Sequence, residues 1–298
     1  MPRSIALFCL LLTTAIWGFA FIAQKTAMDV MGPLTFMASR YLLGGLVILP
    51  LALRENGLRT APLTGRDWSL IGVMSVVFFI ASLLQQLGLI FTTVTNSGFL
   101  TGLYVLFVPL ILLVFFRTAP HRIVWFAAPF ALFGLFLLNG ATLSAINRGD
   151  ALVIASAVFW ALHVLLIGLL ATRTRRPVLI SAISFLIAGG LSAVGALAFE
   201  APSLEAISSG WVEILYAGVM STAIAYTLQA VGQQHVPPAN AAIILSAESL
   251  FAALGGALLL GERLPPEGYA GAALIFAAIV LVEAIPQLRR RSTEALPE

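Results

Sequence analysis

Residues 239–263 read ANAAIILSAESLFAALGGALLLGER, an apolar and small-residue run that holds one deep carboxylate, Glu248. A helix of about twenty such residues crosses the ~30 Å hydrocarbon core of a bilayer. An ionisable side chain inside a span costs roughly 2.5–3.5 kcal/mol on insertion scales, so Glu248 is a candidate functional residue. The alternative is a protonated Glu248 that only hydrogen-bonds a neighbouring helix. Ala252 and Gly256 permit close helix packing, so we expect Glu248 to face the interior of a bundle.

The composition of the whole chain agrees with this local pattern. Of 298 residues, 60% are hydrophobic and 10% are charged, whereas soluble domains average about 25% charged residues. The chain is therefore predicted to be an integral membrane protein with the lipid bilayer as a partner. Its pI of 9.4 does not indicate nucleic-acid binding, because the arginines are scattered in short loops. One cysteine, Cys9, cannot form an internal disulfide or a cysteine-based zinc site, and no metal or cofactor is expected.

Apolar runs divide the chain into about ten membrane spans. The first is interpreted as a span rather than a signal peptide, because it carries Trp17 and lacks a clear cleavage site. The predicted spans are residues 5–23, 34–53, 69–91, 97–116, 123–139, 151–170, 178–199, 211–231, 240–260 and 269–287.

Lysine and arginine in the loops predict the orientation, because cytoplasmic loops are enriched in these residues. Three lie on one side: Lys25, Arg148 and Arg263. Twelve lie on the side of the N-terminus: Arg3, Arg54, Arg59, Arg66, Arg117, Arg122, Arg173, Arg175, Arg176, Arg289, Arg290 and Arg291. We expect a multi-pass protein of the cell (inner) membrane with both termini in the cytoplasm.

The two halves of the chain match each other at a nearly constant offset. A shift of 144 places Gln85 on Gln229, Gly88 on Gly232, Asn96 on Asn240 and Phe107 on Phe251, and a shift of 143 places Trp17 on Trp160. These matches predict an all-α fold of two five-helix repeats, residues 1–145 and 146–288, followed by a cytoplasmic tail, 289–298. Five spans are an odd number, so the repeats cross the membrane in opposite directions, as in many secondary transporters.

Polar and aromatic residues recur along one face of several predicted helices. Lipid cannot satisfy such groups, so we expect them to meet around one central cavity. The predicted substrate-binding residues are Trp17, Phe78, Ser82, Gln85, Thr101, Tyr104, Trp160, His163, Tyr226, Gln229, Ser246 and Glu248.

Several of these residues have a purely structural alternative. Trp17 and Trp160 resemble interfacial belt residues, although both lie well inside their apolar runs. Gln85 and Gln229 could hold helices together, and His163 could be a core residue with its hydrogen bonds satisfied or a proton carrier. Arg40, early in the second span, is interpreted as a structural residue that snorkels or pairs with a helix end.

Longer motifs resemble those of EamA-type permeases in the drug/metabolite transporter superfamily. The first repeat contributes TNSGFLTGLYVLFVP at 95–109, AIWG at 15–18 and Phe36-x-x-x-Arg40-Tyr41; the second contributes 239–256 and Gly261-Glu262-Arg263. The resemblance covers essentially the whole chain and implies a ten-helix carrier that exports amino acids or other small metabolites. Tyr104 stands where the second repeat has Glu248, so the two repeats do not share one set of polar roles.

The function predicted from these patterns is export of small amphipathic metabolites, including aromatic amino acids, by alternating access. A passive channel with the same cavity is the first alternative. An intramembrane lipid-modifying enzyme is the second, but the chain contains no H-E-x-x-H, G-x-S-x-G or P-loop motif. The expected partner is a small-molecule substrate, and the oligomeric state stays open.

Overall fold

The computed structural model describes residues 1–138, 141, 147–261, 263 and 266–294, with side chains given as far as residue 282. Within these ranges the chain is helical and contains no β-strand, which confirms the all-α prediction. Several sequence predictions lie outside the described part: the repeat boundary at 145/146, Glu262, residues 295–298, and the side chains of Arg289, Arg290 and Arg291.

The helices follow the predicted apolar runs closely. In the first half they are α1 (Arg3–Thr26), α2 (Pro33–Gly57), α3 (Gly65–Leu89), α4 (Val94–Thr101), α5 (Tyr104–Val114) and α6 (Arg122–Leu138). In the second half they are α7 (Arg148–Thr174), α8 (Pro177–Phe199), α9 (Leu204–Ser209), α10 (Trp211–Leu215), α11 (Thr227–Gly232), α12 (Pro238–Leu245), α13 (Glu248–Leu259) and α14 (Pro266–Glu294). A 3₁₀ turn (Ala27–Asp29) follows α1, and a π-helical segment (Tyr216–Tyr226) joins α10 to α11.

Eight helical stretches in the described residues are long and apolar enough to cross a membrane. They are Arg3–Asp29, Pro33–Gly57, Gly65–Leu89, Val94–Val114, Arg148–Thr174, Pro177–Phe199, Trp211–Gly232 and Pro238–Leu259. Two further predicted spans are shorter apolar helices, Arg122–Leu138 and Pro266–Val282. Large side chains such as Phe115, Phe126 and Leu197 are exposed on the outside of the bundle, where lipid rather than water is the favourable surrounding.

Two of the predicted spans contain a tightened turn, a short stretch with i→i+3 hydrogen bonds, that the apolar pattern does not predict. Gly102 and Leu103 separate α4 from α5, and Ser246 and Ala247 separate α12 from α13. At both places i→i+3 backbone hydrogen bonds replace the α-helical pattern, from Val105 to Gly102 and from Ser249 to Ser246. The apolar run therefore continues across the membrane, but its hydrogen bonding changes near the middle, as is common at functional hinges.

Helices α2 and α8 pack side by side and cap each other's first turn. The Glu200 carboxylate, at the end of α8, accepts hydrogen bonds from the backbone N–H groups of Leu34 and Thr35, both at 2.8 Å. Glu55, near the end of α2, accepts one from the backbone N–H of Leu179 at 2.9 Å. The first N–H groups of a helix have no partner within it and carry partial positive charge, so each glutamate stabilises the start of the opposite helix.

Glycine allows the closest helix contact between α6 and α14. A Cβ atom on Gly134 would lie 2.7 Å from the Gly271 carbonyl oxygen, and one on Gly271 would lie 2.4 Å from that of Gly134. The two backbones touch at this point, which no larger residue permits. The same principle of small residues at membrane-helix contacts accounts for the predicted packing role of Ala252 and Gly256, both buried in α13.

Candidate functional site

A small central cavity lies where the helices of both halves meet. Its volume open to water-sized molecules is about 30 Å³, which is room for one or two waters. The lining residues come from α1, α3, α4, α5, α7, α11, α12, α13 and the π-helical segment: Trp17, Phe21, Gln24, Gln85, Thr101, Tyr104, Trp160, Val164, Ser221, Tyr226, Gln229, Leu245 and Glu248. In this conformation the cavity is nearly closed.

Eight of the twelve residues predicted to bind substrate line this cavity. They are Trp17, Gln85, Thr101, Tyr104, Trp160, Tyr226, Gln229 and Glu248. The tertiary structure thus brings predicted polar faces from several helices to one place, as expected from their helical periodicity.

The other four predicted residues lie behind the cavity wall. Phe78 is fully buried, with ring centroids 4.9–5.7 Å from its aromatic neighbours, and His163 packs 5.2 Å from it. Ser82 accepts a hydrogen bond from the Tyr41 hydroxyl at 2.6 Å. Ser246 donates to the Ile243 carbonyl of its own helix at 2.7 Å. None of these four side chains lines the cavity. Phe78 and His163 pack against other rings, and Ser82 and Ser246 form the hydrogen bonds described above.

Five residues of the cavity lining are not among the predicted substrate-binding residues. Gln24 and Leu245 lie on helix faces that carry predicted ones, and Phe21 and Val164 follow Trp17 and Trp160 by four residues, so helical spacing was a sufficient signal for them. Ser221 lies in the π-helical segment. There, i→i+5 hydrogen bonding widens each turn, so a 3.6-residue period assigns its face wrongly.

Three aromatic side chains in contact, Trp17, Tyr226 and Trp160, form part of the cavity wall. The Tyr226 ring lies 4.4 Å from Trp17 and 5.9 Å from Trp160, with an interplanar angle of 18° in the second pair. The Trp17 indole N–H donates to the Ser221 carbonyl at 3.3 Å, which fixes the Trp17 ring against the π-helical segment. Such rings give a flat apolar surface with polar groups at its edges.

Four buried polar atoms of the cavity lining have no hydrogen-bond partner: Trp160 Nε1, the Tyr104 hydroxyl, Gln229 Oε1 and Glu248 Oε1. The Tyr104 hydroxyl lies next to the Glu248 carboxylate, but without standard hydrogen-bond geometry. Gln85 differs, because its amide donates to the Thr101 hydroxyl at 2.9 Å. Buried polar groups are normally paired, so this concentration of unpaired ones indicates that water or a ligand completes the site.

Glu248 carries a deep carboxylate, and its Oε1 has no hydrogen-bond partner. It is 4% exposed, opens helix α13, and has no ion pair among the described residues. The predicted interior position of Glu248 is therefore observed, and its side chain reaches the cavity itself. The polar group beside this carboxylate is the Tyr104 hydroxyl at the start of helix α5.

Arg40 is buried instead of snorkelling to an interface. Its side chain is 2% exposed, donates to the Tyr41 hydroxyl, and stacks over the Tyr41 ring at 4.4 Å. Nε and Nη1 have no partner. The guanidinium thus sits behind the aromatic residues of the cavity wall, held by cation–π contact rather than by a carboxylate.

Comparison with known proteins places this arrangement among membrane transporters. The profile described as the EamA-like transporter family matches residues 4–140 and again residues 147–284. An uncharacterized transporter of Archaeoglobus fulgidus is 29% identical over 92% of this chain and 84% of its own length. The uncharacterized transporter YwfM of Bacillus subtilis is 28% identical, over 96% and 95%. A crystal structure with 18% identity matches the fold with a TM-score of 0.77, over 97% of this chain and 99% of that one.

Proposed function

The chain belongs to the EamA-like transporter family, and from this premise we propose that it exports small amphipathic metabolites by alternating access through the central cavity. The solutes we propose are amino acids, including aromatic ones. The four unpaired polar atoms beside an aromatic wall carry this proposal. A pocket for a purely apolar solute does not need such polar atoms. In a structural hydrogen-bond network these atoms would have partners.

The chemistry of the unpaired atoms fits a zwitterion. Trp160 Nε1 and the Tyr104 hydroxyl are donors available to a carboxylate, while Gln229 Oε1 and Glu248 Oε1 are acceptors available to an ammonium group. Trp17, Tyr226 and Trp160 offer ring faces to an apolar side chain. Trp160 would therefore contact the solute twice: its ring would pack on the apolar side chain, and its N–H would donate to the carboxylate.

Two structural pairings support a ten-span arrangement of two inverted repeats. The tightened turns at 102–103 and 246–247 are 144 residues apart, and the capping residues Glu55 and Glu200 are 145 apart. Residues 1–145 and 146–288 would then form the two repeats, with both termini in the cytoplasm. In such transporters the solute site lies at the repeat interface, near the middle of the membrane.

The closed cavity implies movement during transport. A volume of about 30 Å³ holds water but not an amino acid, since sites for small ligands span roughly 300–1,000 Å³. The site must therefore expand when it opens to either side. The tightened turns and the π-helical segment, which border the cavity, are suited to that change because their backbone hydrogen bonding already departs from the α-helical pattern.

Counterflow in proteoliposomes tests the proposed function. The purified full chain is loaded with one unlabelled amino acid at a time, and entry of the same labelled compound is followed for aromatic, aliphatic and charged members. We expect exchange for amphipathic members and none for strongly charged ones. Exchange no faster than in protein-free liposomes for every amino acid and metabolite offered would reject the proposal.

A passive facilitator remains the second candidate function, because the cavity geometry by itself does not require coupling. Imposing a pH gradient across the same proteoliposomes separates the two. A proton-coupled carrier accumulates labelled solute above the outside concentration, and the Glu248 carboxylate is the group we propose for that coupling. A facilitator only equilibrates the solute.

A further inference from the structure

A second, larger cavity lies at the arginine-rich end of α7. Its volume is about 510 Å³, and its lining includes Leu165, Gly168 and Thr172 of α7 together with Gln233 and Val236 of the segment after α11. Half of its lining side chains are leucine, proline or phenylalanine, and the lining also includes the exposed residues Arg173 and His235. Unlike the central cavity, it is large enough for a whole amino acid or a similar solute.

The two cavities follow one another along the same two helical segments. On α7 the central cavity is lined by Trp160 and Val164, and the second by Gly168 and Thr172. On the other segment Gln229 lines the central cavity and Gln233 the second. Residues four apart share a helix face, so the cavities are separated by one helical turn, roughly 6 Å.

A hydrogen bond lies between the two cavities. The Gln233 side-chain amide donates to the Val164 carbonyl at 3.0 Å, which joins the wall of one cavity to the wall of the other. Gly168 packs closely against this contact, since a Cβ atom there would lie 3.2 Å from Gln233 Nε2 and 3.2 Å from Pro238 Cγ. Gln233 is 3% exposed, and its Oε1 has no partner.

We propose that the second cavity is an entrance site for the transported solute and that the Gln233–Val164 contact is the closed gate between this site and the central cavity. The inference rests on the proposed transport function. The entrance would take the apolar side chain of an amphipathic solute against its leucine walls, while Gln233 Oε1 accepts a hydrogen bond from the polar end. Release of the amide from the Val164 carbonyl would then open the way inward.

A disulfide across the gate provides the first test. In a Cys9→Ser background, Gly168→Cys with Gln233→Cys places two Cβ atoms about 4.0 Å apart, as measured from an ideal Cβ on Gly168, which fits disulfide geometry. We expect oxidation to form the intramolecular bond, counterflow to fall at least tenfold, and reduction to restore it. The matched controls are the two single-cysteine variants, which should not respond to oxidant. Unchanged counterflow with the disulfide formed, or a failure of the bond to form, overturns the gate.

Thiol labelling provides a second test that needs no transported solute. In the same Cys9→Ser background, Ser221→Cys reports access to the central cavity from the arginine-rich side of membrane vesicles. Adding Gln233→Ala should raise its labelling rate about tenfold. Asn240→Ala is the matched control, because the buried Asn240 amide also donates to a carbonyl of another helix, that of Val282 at 3.4 Å, but Asn240 lines neither cavity. Equal rates with Gln233→Ala and Asn240→Ala would refute the gate even if counterflow succeeds, whereas faster labelling without any counterflow would reject only the proposed solutes.

Discussion

Tyr104 and Glu248 are the first residues of the helices that follow the two tightened turns, and both side chains line the central cavity. They lie 144 residues apart, the offset at which the two halves of the chain match. Matching backbone positions thus carry a phenol in one half and a carboxylate in the other. Only the carboxylate can supply a negative charge at neutral pH, so the two halves of the chain contribute chemically different groups to the cavity at these positions.

Glu248→Gln tests whether that carboxylate couples transport to protons. Glutamine keeps the size and hydrogen-bonding ability of a protonated glutamate but cannot ionise. We expect a folded protein whose counterflow no longer varies with pH between about 5 and 8, with net uptake driven by a pH gradient reduced roughly tenfold, equivalent to ~1.4 kcal/mol. Glu267→Gln, at an exposed position, is the control. A wild-type pH profile in the Glu248 variant would show that Glu248 acts only as a static hydrogen-bond donor.

Trp160→Phe tests the substrate-binding role of the cavity wall. The change keeps an aromatic ring but removes the unpaired indole N–H, which we propose binds a carboxylate. One lost hydrogen bond to a charged group corresponds to about 1.5–3 kcal/mol, so half-saturation in counterflow should require more than tenfold higher solute concentration. Trp211→Phe, at an exposed position, should behave like the parent protein. If both variants transport alike and remain monodisperse, Trp160 does not contact the solute.

Glu200→Ala tests the capping between α2 and α8. The Glu200 carboxylate accepts three hydrogen bonds at the start of α2, from two backbone N–H groups and from the Thr35 hydroxyl at 2.6 Å. Their loss should destabilise the protein by about 2–3 kcal/mol and lower Tm in detergent by roughly 4–8 °C. Glu55→Ala, which removes one such bond, should have a smaller effect. The exposed Glu205 supplies the control, and a Tm for Glu200→Ala equal to that of Glu205→Ala would contradict the capping role.

Cysteine labelling tests the predicted orientation. In a Cys9→Ser background, Arg3→Cys and Ser292→Cys should resist a membrane-impermeant reagent added to intact cells, because the twelve-to-three distribution of basic residues predicts that both termini are cytoplasmic. Leu204→Cys, in the short helix after α8 and 85% exposed, should be labelled from outside. The opposite labelling pattern would show that the topology is reversed and that the second cavity opens to the other side of the membrane.

The helices, the membrane character and most of the cavity lining can be predicted from the sequence alone. Apolar runs of sufficient length predict spans without reference to the rest of the fold, because the solvent around each helix is the bilayer. A period of 3.6 residues was enough to place Trp17, Trp160, Gln229 and Glu248 on faces that meet. The deep position of Glu248 followed from its place near the middle of its run.

How far each side chain reaches, and which group completes its hydrogen bonds, depends on tertiary packing. Periodicity gives the direction of a side chain around its helix axis, but not the distance to the neighbouring helix or the partner found there. Phe78 and His163 lie on helices that line the cavity, but their rings pack against each other behind the cavity wall. The Ser246 hydroxyl donates a hydrogen bond to the Ile243 carbonyl in its own helix. The π-helical segment and the Gln233–Val164 contact depend on how helices distant in sequence pack together. The sequence around Gly168 does not predict that packing, because the approach of α7 to the segment that carries Gln233 depends on the side chains of both.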